Sequence, residues 1–72
     1  MKSSPSVVIW RVRRAHHQYR CIVEQLAEEC FALQMFRGHE LVLTEFFDEP
    51  GPLLARADVL RAEITETHAV AV

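Results

Sequence analysis

The stretch from Phe31 to Phe47 most constrains what this chain can become. Phe31, Leu33 and Met35 alternate with Ala32, Gln34 and Phe36, and after Arg37-Gly38 the alternation resumes with Leu41 and Leu43 against Val42 and Thr44. Period two is the period of a strand, so two strands and a tight turn are predicted. With Gly38 in the left-handed conformation closing a three-residue loop, Leu33 falls opposite Leu41 and Phe31 opposite Leu43, giving one continuously apolar face. A two-residue loop at Arg37-Gly38 sets Leu33 against Val42 and mixes the faces, which a buried face forbids. The first register is therefore the expected one.

The same period extends upstream. Val8, Trp10 and Val12 alternate with Ile9, Arg11 and Arg13, predicting a strand from Val7 to Arg14, and Tyr19, Cys21 and Val23 alternate with Arg20, Ile22 and Glu24 in a second. Ala15-His16-His17-Gln18 serves as the turn between them, and Leu26 to Glu29 as the turn into the third strand. The rival reading is one helix over residues 18–36, because Glu-Gln-Leu-Ala-Glu-Glu consists of good helix formers and Ile22, Leu26, Cys30 and Leu33 fit a helical stripe. Strand formers from Tyr19 to Val23 and the alternation from Phe31 weigh against it.

The fourth strand, Glu40 to Phe47, ends at Asp48-Glu49-Pro50-Gly51-Pro52, the strongest punctuation in the chain. Pro52 suits the first turn of a helix, where a missing N–H costs nothing, and Leu53, Ala57, Leu60 and Ile64 then follow the spacing of one apolar helical face. The predicted architecture is α+β: an antiparallel four-stranded β-meander with one C-terminal helix from 52 to about 66. Residues 1–6 form a lead, 7–66 the domain and 67–72 a tail.

Composition adds limits. A chain of 72 residues buries only about 60% of its unfolded surface, so a monomer has a thin margin of stability. Half its residues are hydrophobic, too many for a disordered chain, yet no apolar run reaches the ~18 residues of a membrane span. No secretory leader precedes the first arginine, so Cys21 and Cys30 read as reduced thiols of a cytoplasmic protein. The net charge of -2 hides a division. Residues 1–20 hold Lys2, Arg11, Arg13, Arg14 and Arg20 with no acid; all ten acids lie beyond them, against Arg37, Arg56 and Arg61.

Tyr19-Arg20-Cys21, Phe31-Ala32-Leu33, Arg37 to Leu43 and the helix bearing Ala57 and Leu60-Arg61 resemble short bacterial and phage proteins built as a β-meander followed by one helix. The resemblance covers residues 7–66. It implies the ββββα order and such an origin, and carries over no functional residue.

No catalytic signature emerges. His16, His17 and Cys21, with His39 or Cys30 further off, are the one conceivable metal set, but they lack the paired spacing of a structural zinc site, and neighbouring histidines in a polar turn account for them. The only glycines, Gly38 and Gly51, make no phosphate-cradling loop. The chain is thus expected to be non-enzymatic, without cofactor or small-molecule substrate. Arg11, Arg13, Arg14 and Arg20 form a candidate anion-binding stripe. The plainer reading pairs them with Glu24, Glu28 or Glu29 on the neighbouring strand. Trp10 is on the other parity from Arg11 and Arg13 and belongs to the core, which ranks nucleic-acid binding second. The first-ranked function is protein interaction. If the helix covers Phe31, Leu33, Leu41, Leu43, Tyr19 and Cys21, the opposite face presents Ile9, Ile22, Phe36, Val42 and Phe46, an apolar patch suited to a homodimer or another protein partner.

Overall fold

The computed structural model describes residues 6–65, which form four strands and a helix: β1 Ser6–Arg14, β2 His17–Ala27, β3 Cys30–Arg37, β4 Glu40–Phe47 and α1 Pro50–Thr65. The strands make one antiparallel sheet in the order β1-β2-β3-β4, and α1 lies on one face of it. This is the expected ββββα arrangement; the rival helix over 18–36 does not form. The lead before Ser6 and everything after Thr65, the predicted tail at 67–72 included, lie outside the described residues.

Each hairpin closes through a two-residue turn, at Ala15-His16, Glu28-Glu29 and Gly38-His39, with Arg14 opposite His17, Ala27 opposite Cys30 and Arg37 opposite Glu40. Gly38 has φ +63°, as expected. The loop it opens is tighter than the predicted three residues, however, and starts one position later than the two-residue alternative. Glycine at the first central position of such a loop gives a backbone twist that matches the strands it joins.

The predicted register is corrected as a result. Phe36 faces Leu41, Met35 faces Leu43, Leu33 faces Glu45 and Phe31 faces Phe47. Val42 is the extra residue of a β-bulge, which absorbs the one-residue change of parity so that Leu43 still meets the core. Ile9 and Leu26 are extra in the same way on β1 and β2. Beyond the bulge at Ile9, Val8 pairs with Ile22 while Trp10 pairs with Cys21, so Val8 and Trp10 lie on opposite faces instead of sharing one. The bulges at Ile9 and Val42 sit on the two edge strands, where they interrupt the row of free backbone groups that invites strand addition.

The core is the layer between sheet and helix. Cys21 and Leu33 from the sheet and Leu53, Ala57 and Leu60 from α1 are its buried members, with Trp10, Val23, Phe31, Met35, Leu43 and Phe47 packed around them. The helical stripe is the expected one, although α1 begins at Pro50; both prolines fall in the first turn, whose N–H groups have no helical partner. Polar ties fix the helix in place. The Trp10 indole N–H donates to the Ala57 carbonyl at 2.9 Å. Arg56 donates from Nε and Nη2 to the two carboxylate oxygens of Glu45 at 2.9 and 3.0 Å, a fork that links α1 to β4. The last turn of α1 has no basic residue of its own, and Arg14 of β1 supplies one by donating to the Ile64 carbonyl. That carbonyl is among the last four of the helix, and a cation there also meets the negative end of the helix dipole.

Ala15 takes φ +57°, a left-handed conformation that costs a side chain bearing Cβ on the order of 1 kcal/mol. Ala15→Gly is therefore expected to stabilise the fold by about 0.5–1 kcal/mol, the strain relieved being partly offset by glycine's greater freedom when unfolded. The measurement is the urea midpoint, which rises at unchanged slope.

Candidate interaction face

Side chains on one face of a sheet line up in rows across the strands, and the pairing fixes which residues share a row. On the face away from α1 the rows are Arg11–Arg20–Phe36–Leu41, then Val8–Ile22–Gln34–Thr44, then Ser6–Glu24–Ala32–Phe46. Arg13 and Gln18 pair beyond the first row. No second helix or sheet lies over these rows among the described residues. Phe46 is 66% exposed, Leu41 47% and Val8 39%. Ile22 and Phe36 are half-buried by their neighbours, and Ala32 is buried.

Of the five residues expected here, Ile22, Phe36 and Phe46 stand in these rows. Ile9 does not, because its bulge packs it against the core. Val42 occupies the bulge position of β4, 39% exposed, and Leu41 takes the place opposite Phe36. Alternation alone places Val8 and Leu41 on the helix side, and the bulges at Ile9 and Val42 turn them outward.

The face is electrically polarised along the strands. Arg11, Arg13 and Arg20 gather at the end where the Ala15-His16 and Gly38-His39 turns lie. Glu24 and the Glu28-Glu29 turn mark the other end. Antiparallel pairing places Arg11 directly opposite Arg20, and Glu24 opposite Ser6, so the cross-strand ion pairs expected between these arginines and Glu24, Glu28 or Glu29 do not form. Like charges in direct opposition are unfavourable. Arg20 is held with its guanidinium carbon 4.5 Å from the centre of the Phe36 ring, which fixes its position. Among the described residues neither Arg11, Arg20 nor Glu24 has an oppositely charged partner. Arg11, Gln18, Arg20, Gly38 and His39 line an open hollow of about 440 Å³. Arg14 departs from the stripe, serving the end of α1 on the opposite face.

On the helix side, Val7, Val23, Phe31, Pro50, Leu53 and Leu54 line a narrow apolar cleft of about 190 Å³. It contains one polar side chain, Gln25, and no titratable group, which leaves it without chemistry of its own.

The histidines and cysteines are not brought together. His16 is exposed in the first turn, and His17 stacks edge-on against Tyr19 with ring centres 6.3 Å apart. Cys21 lies buried two pleats further on, and Cys30 begins β3 opposite Ala27. Among the described residues no three His, Cys, Asp or Glu side chains are grouped to hold a metal ion. Burial pushes the Cys21 thiol up to about 11. In the unfolded chain that thiol ionises near pH 9, so between about pH 9 and 11 the unfolded state loses a proton that the folded state keeps. Stability therefore falls as pH rises through that window, by on the order of 2–3 kcal/mol. Denaturant midpoints at pH 8 and pH 11 should show this loss, and Cys21→Ala should lack that share of it.

No family model matches this chain, and neither a curated protein nor a solved structure matches it. Among the described residues no helix is long and apolar enough to cross a membrane.

Proposed function

We propose that this chain is a small, non-enzymatic interaction module that self-associates through the helix-free face of its sheet. The observation that carries this reading is the composition of the uncovered rows. They combine exposed Val8, Leu41 and Phe46 with Arg11, Arg20 and Glu24, which have no oppositely charged partner among the described residues. A monomeric domain gains nothing from either feature, whereas an interface uses both: apolar side chains at the centre and complementary charge at the rim. The edges are the weaker candidates, since both edge strands carry bulges. Reduced Cys21 and Cys30 suit a cytoplasmic setting.

Three rows across four strands form a small footprint, on the order of 1,000 Å² buried in total, which belongs to the class of weak, exchanging dimers. Sedimentation velocity or light scattering from about 1 to 500 μM, a range set by affinities of roughly micromolar order, should show a reversible shift from one chain to two. A mass that stays at one chain throughout would remove self-association.

A second reading has the basic end of the face as its support: Arg11 and Arg20 line an open hollow, and with Arg13 beside them they fit a phosphate backbone. It ranks lower because the one aromatic ring in that row, Phe36, is already occupied by Arg20 and is not free to stack on a base. Steeply salt-dependent binding of single-stranded DNA or RNA that is lost in Arg11→Glu with Arg20→Glu would reverse the order.

A further inference from the structure

We infer that the second copy docks on this face about a two-fold axis running along the middle row, across the strands, so that Arg20 of each chain meets Glu24 of the other. The inference rests on the self-association proposed above and adds its geometry. Two sheets facing one another can be related by an in-plane two-fold axis lying either along the strands or across them. An axis along the strands keeps each row opposite itself and sets β1 against β4 and β2 against β3. Arg20 then meets Phe36, Arg11 meets Leu41 and Glu24 meets Ala32, which desolvates three charges against apolar groups.

An axis across the strands, through the row of Ile22 and Gln34, keeps each strand opposite itself and exchanges the outer rows. Arg20 and Glu24 are both two positions from Ile22 on β2, so Arg20 falls on the other copy's Glu24, twice in the dimer. On β3, Phe36 and Ala32 are likewise two positions from Gln34, and a large ring meets the smallest side chain of the face. On β4, Leu41 meets Phe46, the bulge at Val42 absorbing the extra residue. Ile22 and Gln34 then face their own copies, apolar on apolar and amide on amide. One register thus supplies the carboxylate that Arg20 lacks among the described residues of its own chain, while Arg11 falls on the other copy's Ser6 at the rim. It also uses the fixed position of Arg20 over Phe36, which lowers the side-chain ordering required on docking.

The test is a charge exchange read by sedimentation equilibrium, with circular dichroism confirming that each variant is folded. Arg20→Glu alone and Glu24→Arg alone place like charges at both symmetry-related contacts, and each is expected to weaken dimerisation at least about tenfold. An equimolar mixture of the two variants should form a heterodimer, and the double variant Arg20→Glu with Glu24→Arg should recover the wild-type dissociation constant within about threefold, a residual of well under 1.4 kcal/mol. If wild type dimerises through this face, as shown by sensitivity to Phe46→Asp, yet both single charge variants dimerise as well as wild type or the mixture does not pair, the axis assigned here is wrong while self-association stands. A wild-type chain that never dimerises overturns both.

Discussion

Leu53→Ala is expected to bring the chain close to its folding midpoint at 25 °C. Leu53 is 1% exposed and is one of only three buried residues on α1, with Ala57 and Leu60. Removing a buried leucine side chain costs about 2–5 kcal/mol through lost transfer free energy and the cavity left behind. A domain of this length has a net stability of roughly 4–10 kcal/mol, so a loss at the upper end of that range removes half or more of the total. Ala57 cannot compensate, having little side chain to repack, and a 16-residue helix barely persists alone in water. Once α1 loosens, Cys21 and Leu33, each at 0% exposure, lose their cover. Trp10 reports the event because its indole donates to the Ala57 carbonyl; its emission should shift to the red with the loss of helical dichroism, in one transition. Leu54→Ala, one residue along and 51% exposed, should change stability by no more than about 0.5 kcal/mol. Equal effects at the two positions would mean that α1 does not cover the sheet by this stripe.

The features that were legible in the sequence are periodic ones. The stripe of Leu53, Ala57 and Leu60 and the alternation of Phe31, Leu33 and Met35 survive into the structure because burial of one face selects each period. The Asp48 to Pro52 break marks the end of β4 because proline and glycine restrict the backbone locally. The bulges had no such mark. Ile9, Leu26 and Val42 are β-branched or aliphatic residues with good strand character, and each is extra only in relation to the strand beside it. A parity count carried through such a position assigns every residue beyond it to the wrong face, as happened to Val8 and Leu41.

The turn at Ala15-His16 carries no local mark for a related reason: its first residue adopts a left-handed backbone without being glycine or asparagine. Ties between distant residues were also hidden. Arg14 reaches Ile64 and Trp10 reaches Ala57 across nearly the whole chain, and nothing local to either residue names its partner. The candidate face was therefore visible in kind, as an apolar surplus beside a basic stripe, although the absence of cross-strand carboxylates opposite Arg11 and Arg20 was not. Its membership and the charge gradient along it depend on register, which alternation alone does not fix: it set Leu33 opposite Leu41, and Leu33 pairs with Glu45, four residues further on.

Phe46→Asp is expected to yield a folded monomer at concentrations where the wild type is dimeric. In the single chain Phe46 is 66% exposed and outside the core, so a carboxylate there meets water and leaves the sheet and α1 intact. In the proposed dimer it lies against the other copy's Leu41, and symmetry makes the contact twice. Covering a side chain of this size is worth roughly 1.5–3 kcal/mol, and the substituted carboxylate is additionally desolvated without a partner. Two such losses amount to at least about 3 kcal/mol, or more than a hundredfold in dissociation constant. The helix offers a rival apolar surface in Leu54 and Val59, 51% and 47% exposed, and the companion variant is Val59→Asp. It should dimerise like wild type. A dimer lost in Val59→Asp and retained in Phe46→Asp would move the interface to the outer surface of α1, leaving the rows of the sheet to some other ligand.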